Sequence, residues 1–309
     1  AKYGLISAAM VVFTMAVSEF GVPKVIGGNY AVLAIDIYKQ VIGQQNFQIG
    51  AVVGLILLVP ALVAFFVDHA VRVRQKALLS ARSVPYVPKP APVRDRMLLA
   101  FVLLMSVAML AVIGMAVFGS FVKVWPYNLS LTLNHYTYGF EEAGVENAYR
   151  NSLTMAAWCA LIGALLTFAG AYWLEKTRGA DLVRPIVRLQ AMLPMAIPGL
   201  VLGIGYILFF NHPDNPLGFL YGTMAILVLS TIVHFYSSSH LTAVTALKQL
   251  DNEFESVSAS LKVPFYKTFW RVTVPVCLPS IIDISRYYFV NAMTTISAVV
   301  FLYSPKTML

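Results

Sequence analysis

The chain has 309 residues, 59% of them hydrophobic and 12% charged, with a mean hydropathy of +0.75 and a formal net charge of +8. A water-soluble domain carries about 25% charged residues, so this composition excludes an ordinary soluble enzyme or binding module. It fits a chain that gives its apolar surface to lipid.

Seven apolar runs follow in chain order: Leu5 to about Phe20, Ile49–Val67, Met97 to about Val122, Ser152–Leu174, Leu189–Phe210, Leu217–Tyr236, and about Ile281 to Tyr303. Each is long enough to form a helix across the bilayer, although the first and last are short or carry charge near an end. The cations alternate between the connections. Arg72, Arg74, Lys76, Arg82, Lys89, Arg94 and Arg96 lie between the second and third runs. Lys176, Arg178, Arg184 and Arg188 lie between the fourth and fifth, and Lys248, Lys262, Lys267 and Arg271 between the sixth and seventh. The other connections are poor in cations. This positive-inside pattern puts the basic connections and the N-terminus in the cytoplasm and the C-terminus outside. The basic charge is therefore assigned to membrane lipid and protein partners, with no nucleic acid.

An odd number of spans without an initiating Met is expected of a fragment, and Ala-Val-Ser-Glu-Phe is a poor signal-peptide cleavage site. Cys159 and Cys277 form neither a disulfide framework nor a metal-ligand spacing. Residues 70–96, with SVPYVPKPAPVRDR at their end, are basic and proline-rich and read as an extended cytoplasmic linker. The linker separates a first piece, 1–69, from a second, 97–309. YYFVNAMTTISAVVFLYSP at 287–305 echoes VVFTMAVSEFGVPKVIGG at 11–28, Phe289 falling on Phe13 and Ala292 on Ala16. Two similar halves in one chain would produce this parallel-repeat arrangement.

The stretch EFESVSASLKVPFYKTFWRVTVPVCLP, at 253–279, interrupts the apolar sequence with charge and helix punctuation. Asn252 followed by Glu255 makes a capping-box start, and Leu250, Phe254, Val257 and Leu261 fall at helical spacing. Pro264 stops that helix or opens another. Phe265, Phe269 and Val272 then form a second stripe, with Lys267 and Arg271 on the polar side, and Pro275 and Pro279 end the segment. A bent pair of short amphipathic helices on the cytoplasmic side is the expected product, with Glu255 on its exposed polar edge. Periodicity alone leaves open whether it lies on lipid headgroups or is grasped by another protein.

Glu255-Ser-Val-Ser-Ala-Ser-Leu-Lys262 followed by Thr268-Phe-Trp-Arg-Val-Thr-Val-Pro275 resembles the EAA loop of binding-protein-dependent ABC importer permeases. That pattern is Glu-Ala-Ala, three residues, Gly, nine residues, then Ile-x-Leu-Pro. Anchored at Pro275, its glutamate falls on Ser256, its alanines on Val257 and Ser258, and its glycine on Lys262; Val272 and Val274 stand for Ile and Leu. The missing glycine leaves the turn geometry open, since an ordinary residue resists positive φ, and Pro264 offers another route to the bend. LPMAIPGLVLGIGYILFF at 193–210 looks like the corresponding span in permeases for ferric iron, polyamines and phosphonates. SEFGVPKVIGG at 18–28 and ISAVVFLYSPKTML at 296–309 look like the spans after the two EAA loops of double-length permeases of the ferric-iron type.

The resemblance implies an all-α polytopic membrane helix bundle with the ABC importer type I permease fold, in the bacterial inner membrane. The first EAA loop would precede Ala1 and a last helix would follow Leu309. It further implies no catalytic site, cofactor or metal in the chain, with ATP hydrolysed by partner ABC ATPase subunits and solute delivered by a periplasmic solute-binding protein. The ATPase-coupling residues it assigns are Phe254, Glu255, Ser256, Val257, Ser258, Leu261, Lys262, Pro264, Val274 and Pro275. Among family members the sequence looks most like 2-aminoethylphosphonate permeases, with ferric iron, polyamine or thiamine as alternative solutes.

Polar residues inside spans usually face a pathway or a partner helix, which makes Glu19, Asn291, Thr294, Thr295 and Ser297 the pathway candidates. Thr and Ser can instead bond their own helix backbone. Gly199 and Gly203 form a GxxxG expected to serve close helix packing. His234 and His240, at the tail of the sixth run, are expected to make interfacial hydrogen bonds, and Asp283 and Arg286 an i, i+3 pair. A seven-helix receptor matches the span count, but its N-terminus would lie inside and its seventh span has no lysine for a retinal Schiff base. A membrane-embedded enzyme would need convergent acids, bases or metal ligands that the spans do not supply.

Overall fold

The computed structural model describes residues 2–74, 90–141, 145–176, 182–251, 253–305 and 307. Most of the proline-rich linker, Arg178 and the expected cap Asn252 lie outside these residues. The chain divides into two units, one made of Ala1–Gln75 with Tyr149–Leu309, the other of Lys76–Ala148. Among the described residues both are helical apart from one short hairpin and connecting turns.

The elements in chain order begin with α1 (Lys2–Ser18), α2 (Gly21–Ile26) and α3 (Leu33–Tyr38), which continues as a π turn. α4 (Phe47–Arg74) and α5 (Pro92–Phe121) follow, so the ends of the 70–96 stretch are helical. β1 (Val122–Val124) and β2 (Asn128–Leu131) form an antiparallel hairpin before α6 (Asn134–Glu141) and α7 (Val145–Lys176). Next come α8 (Arg184–Met192), a 3-10 turn at Leu193–Ala196, α9 (Gly199–Phe210) and α10 (Met224–Gln249). The chain closes with α11 (Glu253–Ser260), α12 (Phe265–Thr268), a π turn at Phe269–Thr273, α13 (Val274–Val276) and α14 (Leu278–Thr294).

Four of these helices, α4, α5, α7 and α10, are long and apolar enough to cross a membrane. The fifth apolar run is a broken pair, α8 with its 3-10 turn meeting α9 at 111°. Pro194 and Pro198 remove amide hydrogens there and Ile197 is extended, the usual cause of a sharp break. Ser237 of α10 holds the arm that precedes the break. Its hydroxyl donates to Ala191 O (2.8 Å) and accepts from Met195 N (3.1 Å).

Two apolar runs are not helical over their expected lengths. The sixth becomes α-helical only at Met224, after a 3-10 turn at Gly218–Leu220 and a turn containing Gly222 at φ +74°, and then continues to Gln249. The seventh leaves the helix at Thr294, and residues 297–302 turn back onto α9. There Ser297 lies against Gly199 and Phe301 against Gly203, where an added Cβ would stand 2.4 and 3.1 Å from them. The two glycines thus serve close packing, but against this turn rather than another helix. That contact outweighs the apolar continuity of the sequence.

The core of the larger unit lies between α7, α10 and α14. α7 buries Met155, Cys159, Gly163, Thr167, Phe168 and Ala171 at helical spacing, a stripe small enough to admit a neighbouring helix closely. Tyr288 of α14 fills it: its ring lies over Gly163, and its hydroxyl bonds Thr167 Oγ1 at 2.8 Å. A second cluster joins Phe20, Ile37, Leu57, Leu200, Ile204 and Phe301. In the smaller unit α5 has no buried side chain, and His135 Nε2 lies 2.9 Å from Val122 O of the hairpin.

Candidate functional site

The expected apolar stripe of α11 divides. Leu250 packs against the main core, while Phe254, Val257 and Leu261 are exposed. These three line a groove of about 760 Å³ with Pro264, Lys267 and Arg271 on its other wall. An exposed apolar groove with cationic edges is the form of a surface that receives a partner element.

The bend between α11 and α12 is built at Lys262, whose φ is +55°. Val263 N donates to Ser258 O at 2.9 Å, the closure expected of a helix whose last turn ends in a left-handed residue. Lys262 therefore adopts the conformation that glycine gives the resembled loop, at a cost of about 1 kcal/mol. Pro264 caps α12 in extended conformation, and Ser258 and Thr268 hydrogen-bond through their hydroxyls across the bend. Phe269 anchors the second arm, its ring 4.8 Å from Tyr172 and 6.0 Å from Phe168.

Pro275 and Pro279 do not end the segment. They sit in the first turns of α13 and α14, where no amide hydrogen is needed, and the bent helical element passes directly into the last helix. Ser256 and Pro275 are exposed, whereas Ser258 and Val274 are partly buried.

Glu255 does not occupy an exposed edge. Its Oε2 lies 3.5 Å from Lys176 Nζ, with 22% of the glutamate side chain and 4% of the lysine side chain exposed. Lys176 also donates to Leu250 O at 3.2 Å. This lysine, read from sequence only as one of the cytoplasmic cations, ties the end of α7 to both ends of the turn before α11. Neighbouring Glu175 is engaged too, 2.8 Å from Arg188 and 4.0 Å from Lys248.

The five pathway candidates are not brought together. Glu19 is exposed and accepts from Gly21 N (2.9 Å) and Val22 N (3.3 Å). Asn291 donates to Tyr287 O and Thr294 to Val290 O, each on its own helix. Thr295 closes α14, and Ser297 packs on Gly199. Asn291 borders a cavity of about 330 Å³ that also touches Ser238, Thr242, Asp283, Arg286 and Tyr287. Asp283 and Arg286 do pair, at 3.3 Å.

His234 and His240 lie along α10 rather than at its end, because the helix runs on to Gln249. In place of interfacial hydrogen bonds, the Nδ1 of each is buried with no hydrogen-bond partner among the described residues. Asp68 of α4, beyond the end of the second apolar run, is buried and accepts a hydrogen bond from the Ser7 hydroxyl of α1.

Residues 170–308 match the binding-protein-dependent transport system inner membrane component family. The segment of this inner membrane component match takes in the end of α7, the broken span, α10, the groove and α14. The ferric transport system permease protein FbpB of Actinobacillus pleuropneumoniae is 30% identical over 312 residues, covering 98% of this chain and 44% of that protein. FbpB 1 of Haemophilus influenzae, named for a ferric transport system permease, is 28% identical, with 98% and 48% covered. From the same organism, the Fe(3+)-transport system permease protein FbpB 2 is 30% identical over 162 residues, with 51% and 30% covered. The chain spans about half the length, or less, of the curated relatives it matches. With its apolar helices and this inner membrane component segment, it is an all-α, multi-pass protein of the bacterial inner membrane.

Proposed function

We propose that the chain forms part of the membrane-spanning permease of an ATP-driven ABC importer, with ferric iron as the solute. The observation that carries the reading is the exposed groove of Phe254, Val257 and Leu261 within the matched segment, on a bent helical element continuous with α14. The relatives' names favour ferric iron over the aminophosphonate that the sequence look alone preferred.

In this reading a periplasmic solute-binding protein delivers the solute, and ABC ATPase subunits dock in the groove. A push on the groove reaches α7 through Lys176 and Glu255, and α14 through the unbroken chain. Transport then requires that nucleotide and solute favour different states of the helix bundle.

The test is Val257→Arg in the full-length permease, with Leu182→Arg, at another exposed site, as the comparison. Disrupting an apolar anchor at the centre of an interface costs about 2 kcal/mol, about thirtyfold in affinity. Val257→Arg is expected to abolish ATPase copurification and uptake of radioactive ferric iron while leaving membrane abundance unchanged. Leu182→Arg is expected to leave all three unchanged. Normal ATPase recovery with Val257→Arg would overturn the docking assignment, and uptake of 2-aminoethylphosphonate but not iron would overturn the solute.

A further inference from the structure

Arg94, Asp95 and Arg96 stand at the start of α5, and from Met97 to Phe121 the helix carries no charge. A hydrocarbon core of about 30 Å takes up about 20 residues of helix at about 1.5 Å each. Counted from Met97 the core ends close to Ala116, which leaves the last turn of α5 beyond it. The aromatic residues Phe118, Phe121, Trp125, Tyr127, Tyr136 and Tyr138 all follow this point. Between Met97 and Phe140 the sequence carries one formal charge, that of Lys123.

The hairpin is held at the level where α5 ends. Thr132 N donates to Phe121 O (2.7 Å), His135 Nε2 lies 2.9 Å from Val122 O, and Tyr136 shares a 2.7 Å hydrogen bond with Ser120 Oγ. The Tyr136 ring lies 5.4 Å from that of Phe121, and the Trp125 ring 6.4 Å from that of Phe118. Both strands and the start of α6 are thus folded back on the last turn of α5. Along β2 the side chains alternate, Leu129 and Leu131 on one face, Asn128 and Ser130 on the other. The polar face satisfies itself, since Asn128 Oδ1 accepts from Ser130 N (3.1 Å) and Ser130 Oγ (2.7 Å). The apolar face is open, with Leu129 52% and Leu131 72% exposed.

We infer that the hairpin and the start of α6 form an interfacial anchor, lying in the lipid headgroup region where α5 leaves the hydrocarbon. The lipid around α5, a helix with no buried side chain, continues onto the face of Leu129 and Leu131. Trp and Tyr rings favour that depth because an apolar ring meets the acyl chains while its polar group stays with headgroups and water. A surface made for a soluble protein would carry a polar and charged rim, whereas Lys123 is the single charge here. A lysine at this level extends its stem along apolar surface and brings its ammonium to the lipid phosphates. The anchor fixes the depth of α5, a helix longer than the hydrocarbon is thick and free to tilt without such a stop.

The test uses full-length permease with every native cysteine, Cys159 and Cys277 included, replaced by alanine, in vesicles of phosphatidylethanolamine and phosphatidylglycerol. Single cysteines introduced by Val107→Cys, Asn128→Cys, Leu129→Cys or Leu131→Cys carry the fluorophore NBD. Quenching by iodide, present on both sides, is compared with quenching by lipids that bear a nitroxide near the headgroup or near the end of the acyl chain. At Leu129→Cys and Leu131→Cys the headgroup-side nitroxide is expected to quench about twofold more than the chain-end one, and iodide about threefold less than at Asn128→Cys. The label at Val107→Cys, in the middle of the span, is expected to reverse the order of the two nitroxides and sets the depth scale. Equal iodide quenching at Asn128→Cys and Leu131→Cys would place the leucine face in water. Loss of nitroxide quenching at both leucine positions would place it under protein, and either result overturns the anchor. The measurement needs no ATPase, solute-binding protein or solute, so the anchor stands or falls apart from the permease reading.

Discussion

Lys176 Nζ stands 3.5 Å from the Glu255 carboxylate, joining α7 to α11 by an ion pair largely shielded from water. Removing one partner of such a pair leaves a poorly solvated charge and costs about 3–5 kcal/mol. Glu255→Lys is therefore expected to lower membrane abundance and thermal stability as well as coupling. A cycle of Glu255→Gln and Lys176→Met, read from denaturation midpoints, is expected to give a coupling energy of about 1–3 kcal/mol. Strict additivity, or normal abundance of Glu255→Lys, would show that the pair contributes nothing to the fold.

At the bend, Lys262 holds φ at +55°. A left-handed backbone disfavours Cβ, and a β-branched side chain most of all. The expected order of stability is Lys262→Gly above wild type and Lys262→Val below it, with about 2 kcal/mol between the two variants. A thermal unfolding series in which glycine is the least stable would contradict the left-handed assignment.

Gly163 lies under the Tyr288 ring, and a Cβ added there would stand 2.9 Å from two ring carbons. Gly163→Ala is expected to destabilise by about 1–3 kcal/mol through overpacking. Gly205→Ala, with nothing within 4 Å of its new Cβ, is expected to be neutral. Equal melting temperatures for the two variants would refute close packing of α7 on α14.

Sequence reached the helical class, the bent amphipathic pair and the packing role of Gly199 and Gly203, because each follows from local pattern. The common face of Phe254, Val257 and Leu261 was legible in their spacing; its exposure, and the departure of Leu250 into the core, were not. The engagement of Glu255 was not, since Lys176 is 79 residues away and no local periodicity links them. Lys262 reads poorly as a turn residue because its cost is local while the hydrogen bonds that hold it come from the completed helix. The end of α14 at Thr294 was hidden by continuous apolar sequence, and only the fit of Ser297 and Phe301 onto α9 explains it.

The hydroxyl of Ser237 makes both of its bonds to the broken span, one on each side of Met192. A single oxygen on α10 thus fastens the arm before the 111° bend to one point, at the end of α8 and in the 3-10 turn that follows it. If α10 rotates or slides, the elbow of the neighbouring span must follow or lose a donor and an acceptor where no water can replace them. The two elements are geared together, and Ser237 is the tooth that turns a displacement of one into a change of angle in the other.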